Sequence, residues 1–169
     1  MIVLGLDPGT EQSALVGYNG VSVIGHVVES NREILSRLHS PCDLFGRWGR
    51  NGGTDAVPTL VIEQIESFGM AVGREVFETV FWTGRFAEAW CPERFERMPR
   101  REVKQHLCHS ARATDANIRQ ALIDRFGPGT DKAFGKKKAP GPLFGITGHK
   151  IAALAVAITW FDQHGHEEA

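Results

Sequence analysis

The sequence predicts a mixed α/β fold, with helices on the faces of a sheet whose first three strands are antiparallel. Three observations carry that reading. Two short continuous apolar runs, Ile2-Val3-Leu4 with Leu6 and Thr59-Leu60-Val61-Ile62, have the composition of strands covered on both faces. Two β-rich runs flank Asn19-Gly20, a two-residue hairpin signal. Several later segments space their apolar residues three and four apart, as helices that pack on a sheet do.

Taken in order, the first strand ends at Asp7, where Pro8-Gly9 forces a tight turn. Ser13 to Tyr18 and Val21 to Glu29 form the hairpin. Asn31 to Leu38 places Ile34, Leu35 and Leu38 on one face, with Asn31 as its cap and Glu33 in the first turn, so it reads as a short helix. Ser40 to Val57 keeps no period and reads as a surface loop. The second buried strand ends at Glu63. Gly69 and Gly73 then precede a helix whose stripe of Val76, Phe77, Val80, Phe81, Phe86, Ala87 and Trp90 is wide and aromatic. Packing on the sheet is its plain reading, and the surplus bulk also suits a subunit interface. Arg94 to Met98 reads as a strand, and Pro99 opens a short helix from Arg100 to Leu107. Thr114 caps a helix from Asp115 to Phe126, with Ile118, Ala121, Leu122 and Phe126 inward and Gly127-Pro128-Gly129 ending it. Pro128 to Gly145 has no period and reads as a long loop, functional or disordered, carrying Lys136-Lys137-Lys138. Gly148 to Phe161 is a small-residue apolar helix whose first side chains, His149 and Lys150, are its polar exceptions.

At 169 residues and 42% apolar content, the chain is read as a single domain spanning 1–169. No stretch approaches the ~20 apolar residues of a membrane span. No basic segment precedes the first apolar run, so a secretory leader is not expected. Cys42, Cys91 and Cys108 are odd in number and far apart, which suits a reduced, cytoplasmic protein without a disulfide frame. The net charge of −1 conceals an asymmetry: residues 93–150 hold 13 Lys/Arg against 6 Asp/Glu, and the remainder holds 6 against 14. One segment is thus suited to a polyanion and the other to gathering carboxylates around cations. His106-Leu107-Cys108-His109 lacks the second Cys pair and the spacings of a zinc site.

Asp7, Glu63 and His149 share a position: each is the first polar group at the boundary of a strongly buried element. By itself Asp7 suits a turn-capping role. Together with a second acid at the end of a second buried strand, it suits a hard divalent cation, since carboxylates there are costly to desolvate without one. A histidine ligand tilts the choice toward Mn²⁺. Two cations about 3.5–4 Å apart serve in-line phosphoryl displacement, so phosphodiester hydrolysis is the chemistry these residues suggest. Arg100, Arg101, Arg112 and Lys104 form the best phosphate-gripping set in the sequence, with Lys136, Lys137 and Lys138 a second.

Gly5-Leu6-Asp7-Pro8-Gly9-Thr10, Val61-Ile62-Glu63-Gln64, Arg101-Glu102-Val103-Lys104-Gln105 and Ala153-Leu154-Ala155-Val156-Ala157-Ile158-Thr159 resemble, in order, the motifs of RuvC-type Holliday junction resolvases of the ribonuclease H-like superfamily. Gly73 to Thr79 and Lys138 to Leu143 look like the phage and prophage branch. The resemblance implies a ribonuclease H-like fold, a homodimer, dependence on Mg²⁺ or Mn²⁺ with two ions per site, and paired nicking of four-way DNA junctions in recombination. It implies metal ligation by Asp7, Glu63 and His149, Lys104 near the scissile phosphate, and Phe68 as an aromatic wedge at the junction centre. One departure stands out: most of the family has a final aspartate where this chain has Ala152. With that acid missing, either Glu66, water or substrate phosphate compensates, or activity is weak. Two alternatives follow, a nuclease of forks or flaps and a non-catalytic protein that binds branched DNA.

Overall fold

The structure is a computed structural model and describes residues 1–40, 57–67, 69, 71–90 and 94–165. The predicted 40–57 loop lies almost wholly outside the described residues, as does Phe68. Five strands form one sheet in the order β3-β2-β1-β4-β5, with β1 Val3–Asp7, β2 Gln12–Tyr18, β3 Val23–Ser30, β4 Thr59–Gln64 and β5 Phe95–Pro99. The first three strands are antiparallel, and β4 and β5 extend the sheet in parallel from β1. The helices are α1 Asn31–His39, α2 Arg74–Ala89, α3 Arg100–Cys108, α4 Asp115–Phe126, the single turn α5 Thr130–Phe134, and α6 His149–His164.

Period-two alternation divides the central strands between two cores. Leu4, Leu6, Leu60 and Ile62 meet Ile34 and Leu38 of α1 and Phe86 of α2 on one face. Val3 and Val61 meet α6 and α4 on the other. Because Asp7 keeps phase with Val3, and Glu63 with Val61, both acids belong to the α6 face. The Leu6–Ile62 register puts them side by side one step further along the parallel pair. Gly5 makes this placement possible. Any Cβ there would collide with the Ala153 carbonyl and crowd the Ala157 methyl, so α6 lies directly on β1 and carries its first residue over the strand's end.

Several sequence expectations are corrected. Ser30, not Asn31, caps α1: its side chain and that of Glu33 exchange the two bonds of a capping box. Asn31 is buried instead, accepting from the Ser13 hydroxyl at 2.7 Å and donating to the Gly9 carbonyl at 3.0 Å, so it ties down the turn after Asp7. The hairpin turn is longer than two residues. Asn19 Oδ1 accepts from the Val21 and Ser22 amides, and the register slips at Gly17/Tyr18. The 128–145 stretch is structured. It holds α5 and a small hairpin, β6 Gly135–Lys136 with β7 Ala139–Pro140, and buries Ala133 and Leu143 in the α6-face core. One helical turn and two-residue strands are too short to leave a readable period. The stripe around α2 packs less than expected: of its residues Phe86 and, just past the helix end, Trp90 are buried, while Phe77, Val80 and Phe81 face outward.

Candidate active site

The site lies where the parallel strands end. Asp7 closes β1 with its side chain 15% exposed, and Oδ2 bonds His149 Nδ1 at 2.8 Å. His149 opens α6 and is 77% exposed, so the imidazole is a solvent-facing lid on a nearly buried acid. Glu63 is more deeply set, its side chain 9% exposed, and Oε1 accepts from the Arg100 guanidinium at 2.5 Å. The other oxygen, Oε2, is buried without a hydrogen-bond partner.

Burial pushes the Asp7 carboxyl above its ordinary value, against the lowering pull of the His149 bond and charge. Burial does the same to Glu63, where Arg100 opposes the rise and the neighbouring Asp7 charge adds to it. Two adjacent acids whose charged forms are disfavoured define a place that gains from positive charge. Arg100 supplies some of it. Burial alone would lower the guanidinium, but Glu63 and Asp115 outweigh it and hold Arg100 firmly protonated.

The sequence-predicted residues meet in pairs rather than as one cluster. Among the described residues no group of three or more His, Cys, Asp or Glu stands close enough to enclose an ion. Arg100, expected to grip phosphate, is engaged instead with Glu63 and, at 2.6 Å, with Asp115. Asp115 escaped the sequence reading because an acid just after the Thr114 cap is an ordinary helix-opening residue. The bond to Arg100 holds its carboxyl below the ordinary value. Ala152 lines an open cleft of about 530 Å³ together with Asp7, Arg100, Asp115 and His149.

Lys104 and Arg101 border a second cleft, of about 280 Å³, with Glu63 and Glu66. Arg112 is exposed beyond α3, and Lys136, Lys137 and Lys138 are exposed on the β6–β7 hairpin. Lys104 is thus beside the acids, whereas the hairpin lysines belong to a different element.

A divalent cation fits the residues present. Glu63 Oε2 is a buried acceptor with nothing to accept from, and both acids are raised by burial in a way that a cation relieves. The pairwise spacing and the orphaned oxygen point in different directions. The oxygen weighs more, because a carboxylate atom buried without a donor is costly, whereas side chains at a cleft wall adjust by rotamer.

The fold is a mixed α/β one of ribonuclease H-like topology, with an acid pair at the ends of two parallel central strands. Two solved structures are similar to it. "Thermus thermophilus RuvC structure" matches with 19% identity over 98% of this chain and 97% of that one, at a TM-score of 0.61. "T. thermophilus RuvC in complex with Holliday junction substrate" matches with 18% identity over 98% and 96%, at 0.63. No protein-family model and no curated protein matches the chain. The likeness is one of fold, and over nearly full length in both directions it gives this chain the RuvC architecture.

Proposed function

We propose that this chain is a divalent-metal-dependent endonuclease that resolves four-way DNA junctions by phosphodiester hydrolysis. The observation that carries the reading is the pair of buried acids at the β1 and β4 ends, one bonded to His149 and the other with an unpartnered oxygen. The likeness to a RuvC fold seen with a Holliday junction supports branched DNA as the substrate.

Asp7, Glu63 and His149 would hold Mg²⁺ or Mn²⁺. When bound, the cation would supply charge to offset the phosphate and acidify water for attack on phosphorus. Asp7 orients the His149 imidazole through the 2.8 Å bond. Lys104, in the cleft beside Glu63, offsets charge on the phosphate undergoing hydrolysis, and Arg101 and Arg112 hold flanking phosphates. The lysines of the β6–β7 hairpin contact an arm of the junction further away. The exposed Phe77, Val80 and Phe81 on α2 are the face through which two copies pair, so that each copy cuts one strand. The 169 residues act as one nuclease domain in the cytoplasm of a bacterial host, on a phage or prophage gene.

The test is cleavage of an end-labelled four-way junction in Mn²⁺. Paired nicks that vanish in Asp7→Asn are expected, and undiminished cutting by that variant would refute the assignment. Cleavage of a fork or flap in preference to the junction at one salt concentration would favour the broader nuclease. A second reading, a non-catalytic junction-binding protein, draws on Ala152 in the cleft wall. Tight junction binding in EDTA with no product in either metal would establish it.

A further inference from the structure

Arg100 occupies an unusual place. It lines both the cleft of Asp7, Asp115 and His149 and the cleft of Glu63, Glu66 and Lys104, so its side chain is the wall between them. One arm of the guanidinium donates to Glu63 Oε1 and the other to Asp115 Oδ1. Linking two carboxylates through one positive group is also what a divalent cation does. The planar fork reaches two acids at once, which a lysine ammonium in its place could not match. The bridge is incomplete at its inner end, where Glu63 Oε2 is left without a donor. Its outer end is anchored on an exposed acid at the start of α4, a different element from the strand that carries Glu63.

We propose that Arg100 is the site's built-in cation and sets its affinity for divalent metal: it competes with the metal for Glu63 while Asp115 holds its outer end. The inference rests on the metal-dependent reading above and adds a residue that governs it. In the metal-free protein the bridge offsets part of the Glu63 charge and keeps the clefts separate. With a cation held by Glu63, the inner arm of Arg100 would be free and its guanidinium would face the place where phosphate arrives.

Isothermal titration with MnCl₂ in the absence of DNA tests this on the full chain, comparing the parent with Arg100→Gln and Arg101→Gln. Arg101 is the neighbouring exposed arginine, and no ion pair of Arg101 is found among the described residues. Arg100→Gln is expected to bind Mn²⁺ about tenfold tighter, and Arg101→Gln to stay within about twofold of the parent. In EDTA the Arg100→Gln protein melts below the parent, and saturating Mn²⁺ closes that gap. Arg100→Lys, which keeps the charge without the fork, moves affinity the same way by a smaller step and serves if the Gln variant folds poorly. Unchanged or weaker Mn²⁺ binding by both Arg100 variants overturns the proposal. So does equal tightening in Arg101→Gln, which would be a general charge effect, or a melting gap that Mn²⁺ leaves intact, which would be a structural role alone. If the parent cuts junctions yet its affinity is insensitive to Arg100, only this inference falls. If the parent neither binds Mn²⁺ nor cuts, the functional reading falls with it.

Discussion

Two places in this molecule set carboxylates against an arginine and a histidine, and they come out oppositely. On α6, Asp162 takes both arms of Arg125, at 2.6 and 2.7 Å, and His106 at 2.8 Å. Burial pushes its carboxyl up, yet these bonds outweigh burial and hold it below its ordinary value. At the ends of β1 and β4, Asp7 meets His149 and Glu63 meets Arg100, and burial wins for both. The partners are the same residue types; the difference is saturation. Asp162 has both oxygens filled, whereas Glu63 keeps an empty one and shares its arginine with Asp115. A saturated acid is fastening α6 to α3 and α4. The β1–β4 pair keeps acceptor capacity that no described residue of the chain fills.

The comparison is sharpest under substitution. Asp7→Asn is expected to lower junction cleavage in Mn²⁺ by about 10²-fold or more, the scale on which even the outer support of a metal site acts. Its melting temperature in EDTA should be equal to or above the parent's, because the variant removes a carboxylate that burial disfavours. A large drop in melting temperature would place Asp7 with Asp162 as a fastening residue. Saturating Mn²⁺ should stabilise the parent by roughly 2.7 kcal/mol at a hundred times its dissociation constant and leave Asp7→Asn nearly unmoved. Thermal melts with and without metal read this out.

Asp162→Asn should show the converse, intact cleavage chemistry and a stability loss of about 1–3 kcal/mol at pH 7, measured by urea unfolding. The sign of its pH dependence follows from the lowered folded-state value. The stabilisation is present in full above the unfolded carboxylate value of ~3.9 and is lost as pH falls through the lower folded one. The gap between variant and parent should therefore shrink in strong acid, and a gap that widens there would contradict the assignment. Gly5→Val, which wedges α6 off β1 and so lifts His149 from Asp7, should cost ~1–3 kcal/mol and lower cleavage together with stability. Smallest is the β6–β7 hairpin. Lys137→Gln should weaken junction binding modestly and reduce the slope of log affinity against log salt by about 0.9, read from binding curves at several salt concentrations.

The parts of this fold legible in sequence are those where a local signal and the tertiary outcome coincide. The buried runs of β1 and β4 each stop at an acid, Thr114 caps α4 with Asn117, and the small-residue face of α6 announces close packing. The places of Asp7 and Glu63 were legible for the same reason, being the charges at the ends of apolar strands. What stayed hidden depends on distance along the chain or on brevity. Asn31 is a plausible cap on propensity alone, and only the folded hairpin shows it bonded to Gly9 and Ser13. Arg100 has no sequence mark that separates a phosphate contact from a bridge to Glu63, 37 positions earlier. Asp115 carries the signature of a helix start and also fulfils it. The α2 stripe has the period of a packed helix, and period alone does not say whether the sheet or a second copy covers Phe77 and Phe81.

Everything proposed for this molecule depends on the acids of β1 and β4 taking up a cation. Anomalous scattering from crystals of this protein soaked in Mn²⁺ measures that directly. The expected result is a peak ligated by Asp7 together with Glu63 or His149, with the Arg100 guanidinium moved off Glu63. Saturating Mn²⁺ with no peak at Asp7 would contradict it.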